Sequence, residues 1–181
     1  MVSSFRPMLL LKQTRRCPPI TLVLDLDETL VHSTLEHCDD VDFTFPVHSN
    51  LKEHTVYVRC RPHLQLFMDR VADMFEIIVF TASQSVYAEQ LLKVLDPKRK
   101  LIRHRVYRES CVFVEGNYLK DLTVLGRDLA QVAIIDNSPQ AFGYFFLNED
   151  LCFKSLRRFR RDLWPQPTGL MFELFGNWDF G

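Results

Sequence analysis

The 181-residue sequence predicts an α/β domain with a central parallel sheet and a small antiparallel β-hairpin inserted near its start. Apolar runs at 20–24, 75–80 and 132–135 each stop abruptly at polar residues: Asp25 and Asp27, then Thr81, then Asp136 and Asn137. Buried strands read this way where they run out into a solvent-facing loop. Stretches of helical periodicity separate these runs. Two alternating segments intervene before the first helix.

Residues 1–19 are expected to be a flexible basic leader, closed by Pro18-Pro19, which keep it from continuing as helix into the sheet. The first 24 residues hold Arg6, Lys12, Arg15 and Arg16 and no acid, a composition also found in mitochondrial transit peptides; a plain leader is the reading adopted. Ile20 to Leu24 is the first strand. Phe43 to Val47 and Thr55 to Cys60 alternate apolar and polar residues around a polar loop, as a hairpin does, and Pro46 puts its own strand at an edge. Pro62 suits a first helical turn, after which Leu64, Phe67, Val71 and Met74 share one face. A strand over 75–80 delivers Thr81 to its end. Tyr87, Leu91, Leu92 and Leu95 mark a second helical face, stopped by Pro97. A short strand over 105–107 and a hairpin turning at Gly116-Asn117 lead to Lys120 and Asp121, and 132–135 is the last core strand.

Composition narrows the function. Hydrophobic residues make up 47% and charged residues 25%, as in ordinary globular domains, and a chain of this length can bury roughly 70% of its unfolded surface. The net charge of -1 gives no overall attraction to nucleic acid or membranes. Solvated surface is the default reading of the acidic stretch Glu36 to Asp42 and of the basic one that holds Lys98, Arg99, Lys100, Arg103, Arg105 and Arg108. Cys17, Cys38, Cys60, Cys111 and Cys152 form no C-x-x-C pair, which supports neither a zinc site nor a disulfide framework and points to a reducing compartment. No run approaches the roughly 18 to 20 apolar residues needed to span a bilayer.

In a parallel sheet the three polar strand ends meet at one edge, where open α/β sheets bind ligands. Two carboxylates as close as Asp25 and Asp27 stay ionised together only beside a compensating cation. A hard divalent ion such as Mg²⁺, held by one or two carboxylates and by phosphate oxygens, answers that need.

Asp25-Leu26-Asp27-Glu28-Thr29 resembles the DxDx(T/V) motif of the haloacid dehalogenase superfamily, and with Leu30-Val31-His32-Ser33 it resembles the small phosphatases of the RNA polymerase II C-terminal domain. Further motifs follow in the same order: Thr81 in Phe80-Thr81-Ala82-Ser83, Lys120 in Gly116 to Leu122, and Asp136-Asn137-Ser138-Pro139. Arg108-Glu109-Ser110-Cys111 matches the polymerase-tail enzymes, whose arginine at this place contacts substrate. The resemblance covers residues 20–146 as a phosphatase domain and implies a Rossmann-like haloacid dehalogenase fold. It implies Mg²⁺ at Asp25, the main-chain carbonyl of Asp27 and Asn137, with Asp136 close by.

The chemistry expected is phosphoryl transfer. Asp25 would attack phosphorus to give an aspartyl-phosphate, and Asp27 would protonate the leaving alkoxide and then deprotonate water. Thr81 would bind a phosphate oxygen, and Lys120 would balance Asp25 and the transferring group. Arg108 and Tyr87 are the substrate-binding candidates, although Tyr87 and Leu35 could equally pack in the core. His32 has no assigned role.

The resemblance implies a phosphorylated proline-containing peptide as partner, read by the inserted hairpin, and a nuclear location; mitochondria remain the alternative. A monomer without membrane or direct nucleic-acid contact is expected. Residues 147–181 depart from the pattern and form an atypical tail. A non-catalytic module on the same scaffold, like the mitochondrial presequence-translocase subunit, or an inactive form, are the alternatives. Retention of both Asp25 and Asp27 favours the enzyme.

Overall fold

The computed structural model describes residues 7–49, 52–138 and 140–143. Strand β1 (Thr21–Leu24) is buried along its whole length, as its unbroken apolar run requires. It pairs in parallel with β5 (Glu76–Phe80) on one side and β9 (Val132–Ile135) on the other. Leu24 is in register with both Val79 and Ile135, so the three strands end together. A short strand, β6 (His104–Val106), extends the sheet beyond β5 to give the order β6-β5-β1-β9.

Alternate residues of these strands feed two cores. Leu22, Leu24, Ile77 and Val79 face helices α1 (Leu64–Ala72) and α2 (Ser85–Leu95). Val23, Ile78, Phe80 and Ile134 face the 3-10 turn Leu122–Leu125. The buried stripe of α1 is Leu64, Met68 and Val71; Met74 is 43% exposed, because the helix ends at Ala72. The other apolar face expected from the sequence, on α2, is buried through Leu91 and Leu92, with Ala88 between them and Tyr87.

The insertion differs from the expected two-stranded hairpin. β3 (Phe43–Ser49) and β4 (Lys52–Cys60) are joined by β2 (Val31–Thr34) in an antiparallel sheet of order β2-β4-β3. A four-residue strand with one fully buried apolar residue leaves too little alternation to be read locally. Pro46 does lie on an edge strand.

The hairpin of β7 (Val112–Val114) and β8 (Asn117–Leu119) turns at Glu115-Gly116, one residue before the position read from the sequence. Both residues have positive φ, 48° and 86°, the combination a type I′ turn demands, and Gly116 supplies the second without steric cost. The last described element is α3 (Gln140–Gly143).

At the far end of the sheet from the polar strand ends, Glu76 is 1% exposed at its side chain and is clasped by Arg127, at 2.7 Å from Nε and 2.8 Å from Nη2. Thr21 donates to the same carboxylate at 2.9 Å. The described part of the leader lies against this region: Leu9 N–H donates to the Val124 carbonyl at 2.8 Å, Arg127 donates to the Leu11 carbonyl at 3.0 Å, and Cys17 is buried. The basic run is not all solvated surface either, since the Arg105 side chain is 6% exposed and ion-paired with Glu89. The tail over 147–181 lies outside the described residues.

Candidate active site

The chain leaves β1 through a tight turn. Asp25 N–H still donates to the Ile135 carbonyl at 2.9 Å, continuing the ladder with β9. The Leu26 carbonyl then accepts from Leu30 and Val31, and Glu28 takes a positive φ of 56°. Leu26 is fully buried; of its neighbours, Asp25 is buried as well and Asp27 is half-buried. Thr29, also buried, donates its hydroxyl to Asp25 Oδ2 at 3.1 Å and accepts from Asn137 N–H at 3.2 Å. One threonine thus ties the loop after β1 to the loop after β9.

Lys120 leaves the end of β8 with its N–H on the Ala141 carbonyl at 2.6 Å. Its ammonium donates to Asp25 Oδ1 at 2.5 Å and to Asp136 Oδ2 at 2.7 Å. Burial pushes the Asp25 pKa above the usual carboxylate range; the Lys120 charge pulls it down and the Asp136 charge adds to the rise. A lysine at 2% exposure is tolerable because it is doubly paired, yet one cation for two carboxylates leaves the cluster net negative.

The carboxylate of Asp27 is held separately. Ser83 Oγ donates to Oδ2 at 2.6 Å, and the Tyr87 hydroxyl donates to Oδ1 at 2.6 Å. The Ser33 hydroxyl lies 2.7 Å from that of Tyr87. Thr81 is 1% exposed, and its hydroxyl accepts from Ser83 N–H at 3.0 Å. Arg108 donates from Nε to the Ala82 carbonyl at 2.5 Å and lays its guanidinium 4.7 Å from the centre of the Tyr118 ring.

Asp25, Asp27, Thr81, Arg108, Lys120, Asp136 and Asn137 all line one open cleft of about 610 Å³. Tyr87, expected to bind substrate, is not on its wall. The tyrosine instead reaches Asp27 from α2, with its ring against Phe45 at 5.9 Å. Leu35 is 64% exposed, and His32 is paired with Glu28 at 2.7 Å. The positioning hydroxyls of Ser83 and Ser33 were not anticipated; the only local signal was a second hydroxyl two residues after Thr81.

The cleft offers hard oxygen donors of the kind Mg²⁺ takes: the Asp25 and Asp136 carboxylates and the Asn137 side-chain amide. Among the described residues no cluster of three or more His, Cys, Asp or Glu side chains forms a metal cage.

Residues 20–162 match the family described as NLI interacting factor-like phosphatase. The chain belongs to this family. The match runs beyond residue 146 into residues outside those described. CTD small phosphatase-like protein 2 of Dictyostelium discoideum is 55% identical over 138 residues, covering 76% of this chain and 24% of that protein. CTD small phosphatase-like protein 3 of Caenorhabditis elegans is 54% identical over 132 residues, covering 73% and 46%. The human carboxy-terminal domain RNA polymerase II polypeptide A small phosphatase 1 is 49% identical over 123 residues, covering 68% and 47%. The chain therefore spans about a quarter to a half of these relatives. Fission yeast RNA polymerase II CTD phosphatase Fcp1 bound to beryllium fluoride superposes with a TM-score of 0.61 at 20% identity, over 69% of this chain and 39% of that one. The NLI interacting factor-like domain therefore has the haloacid dehalogenase-type fold.

Proposed function

We propose that this chain is a Mg²⁺-dependent protein serine/threonine phosphatase that acts through an aspartyl-phosphate on Asp25. The observation that carries the reading is the placement of Asp25 between Lys120 and Thr29, in the same cleft as Asp27. Thr29 and Lys120 each engage one oxygen of the nucleophilic carboxylate, fixing its plane before substrate arrives. In the first step a carboxylate oxygen of Asp25 bonds to phosphorus, the bond to the serine oxygen breaks, and protonated Asp27 supplies the proton the alkoxide takes. In the second, Asp27 accepts a proton from water as the water oxygen attacks phosphorus and frees Asp25. Lys120 and Thr81 take up charge on the transferring oxygens. Asp25, Asp136, Asn137 and the Asp27 carbonyl are the groups that would hold Mg²⁺, whose charge offsets the repulsion between carboxylate and phosphate.

The substrate class is a proline-flanked phosphoserine or phosphothreonine segment such as the RNA polymerase II C-terminal domain. The relatives named for that domain and an open cleft, with no residue of the β2-β4-β3 insertion in its lining, support it, and a nuclear role goes with it. The decisive measurement is hydrolysis of a proline-flanked phosphoserine peptide with Mg²⁺, with chelator, and by Asp25→Asn. Turnover that needs Mg²⁺ and vanishes in the variant is expected. Absence of turnover from folded protein that still binds the peptide would overturn the enzyme in favour of a binding module.

A further inference from the structure

Of the basic run Lys98 to Arg108 only the last residue lines the catalytic cleft, and the fold divides the rest into two roles. Arg105 is structural: it donates to Glu89 Oε2 and to the Leu92 and Asp96 carbonyls, each at 3.3 Å. Arg99, Lys100 and Arg103 surround it at the surface. Their loop is firmly built, for the buried Asp96 carboxylate accepts the N–H groups of Lys100 at 2.9 Å, Leu101 at 3.2 Å and Ile102 at 2.9 Å. Arg99 is held there at φ 51°, a left-handed conformation that side chains other than glycine rarely adopt.

These residues, with Glu89 and Tyr107, line a groove of about 480 Å³ separate from the catalytic cleft. Glu89 is already engaged by Arg105, Arg99 and the Tyr107 hydroxyl. Among the described residues, Lys100 and Arg103 have no side-chain hydrogen bond and so present unused charged donors. Groove and cleft are linked by one stretch of chain: Tyr107 lines the first and the next residue, Arg108, lines the second. Ser85 N–H donates to Glu109 Oε1 at 3.1 Å, pinning the start of α2 to the same turn, and Glu89 lies about one helical turn further on. Taking Arg108 as the near wall of the cleft, the chain back to Arg103 runs through Tyr107 and the three residues of β6, a span of at most roughly 16 Å, which about five residues of an extended peptide cover.

We propose that the groove of Arg99, Lys100 and Arg103 is a second anion subsite, which takes a further phosphate group on the same polypeptide about five residues from the phosphoserine in the cleft. The proposal rests on the phosphopeptide reading of that cleft. A discrete phosphate fits better than a nucleic-acid backbone. Glu89 interrupts the positive surface, Tyr107 is tied down by Glu89 rather than free to stack on bases, and the chain as a whole carries a net charge of -1.

The test is fluorescence anisotropy on the full chain carrying Asp25→Asn, with labelled peptides bearing one phosphoserine or two spaced five residues apart. The second phosphate should tighten binding roughly ten-fold or more. Adding Lys100→Gln and Arg103→Gln should abolish that gain and leave binding of the singly phosphorylated peptide unchanged. In the otherwise wild-type chain the same two substitutions should leave hydrolysis of p-nitrophenyl phosphate unaltered, which reports an intact fold. No gain from the second phosphate, a gain that survives both substitutions, or equal competition by a single-stranded oligonucleotide would each overturn the proposal. Failure of the phosphatase reading would show separately, as absence of turnover by the wild-type chain, while the comparison of one and two phosphates would still report on the groove.

Discussion

The Tyr87 hydroxyl donates to Oδ1 of Asp27 at 2.6 Å, joining residues 60 positions apart. Ser83 donates to the other oxygen, so each oxygen of this carboxylate is held by a hydroxyl while the residue lines the cleft. Burial, and then the Asp27 charge, push the Tyr87 pKa far above its usual value, so the phenol remains a donor throughout the working pH range.

Tyr87→Phe removes this donor and keeps the ring against Phe45. A hydrogen bond to a charged group is worth about 1.5 to 3 kcal/mol, so kcat should fall roughly ten- to a hundred-fold with little change in KM. Steady-state kinetics on p-nitrophenyl phosphate read this directly. A raised KM at constant kcat would instead place Tyr87 against substrate.

Asp25→Asn should abolish turnover and also stabilise the fold at neutral pH. The Asp25 pKa is raised above its ordinary value of 3.8 by burial, with Lys120 opposing and Asp136 adding. A raised carboxyl favours folding below the unfolded pKa and loses that contribution as pH rises through the folded one. Thermal melts should therefore show the variant a few degrees above wild type at pH 7, at about 2 to 4 °C per kcal/mol, with the gap closing toward pH 4. An identical gap at both ends of the range contradicts the assignment.

The Glu76–Arg127 pair makes the opposite prediction. Burial alone would raise the Glu76 pKa, but hydrogen bonds from Arg127 and Thr21 and the charges of Arg127 and His104 hold it below its ordinary 4.5. Its contribution is complete above that value and lost as pH falls through the lower folded pKa. At pH 7, Arg127→Leu strands a buried carboxylate and should cost about 3 to 5 kcal/mol in urea unfolding. Combining it with Glu76→Gln should recover most of the loss.

Arg108 stands over Tyr118, whose ring meets that of Phe113 at 4.9 Å. Tyr118→Leu should raise KM for a phosphopeptide roughly two- to ten-fold by releasing the guanidinium, since a cation–π contact is worth about 0.5 to 1 kcal/mol when exposed and more when desolvated. Tyr118→Phe should behave as wild type, and p-nitrophenyl phosphate, which lacks the peptide chain that Arg108 would hold, should be cleaved equally by all three. Equal loss on both substrates would point to disturbance of Lys120, two residues away on the same hairpin.

The sequence by itself determined the strands that deliver Asp25, Thr81 and Asp136, because an unbroken apolar run ending in a polar residue is a local signal. It also determined the motif order and hence the family. Lys120 was legible from its place in a motif, although only the folded β7–β8 hairpin carries it to Asp25, 95 residues away. Tertiary structure alone decided the order β6-β5-β1-β9, the third strand of the insertion, the hydrogen bond of Tyr87 to Asp27, the burial of Arg105 beside exposed Arg103, and the clasp of Glu76 by Arg127. The physical reason is distance along the chain. Periodicity and turn chemistry depend on neighbours a few residues apart, whereas a hydrogen bond across 50 to 100 residues exists only once the sheet has set which loops share an edge.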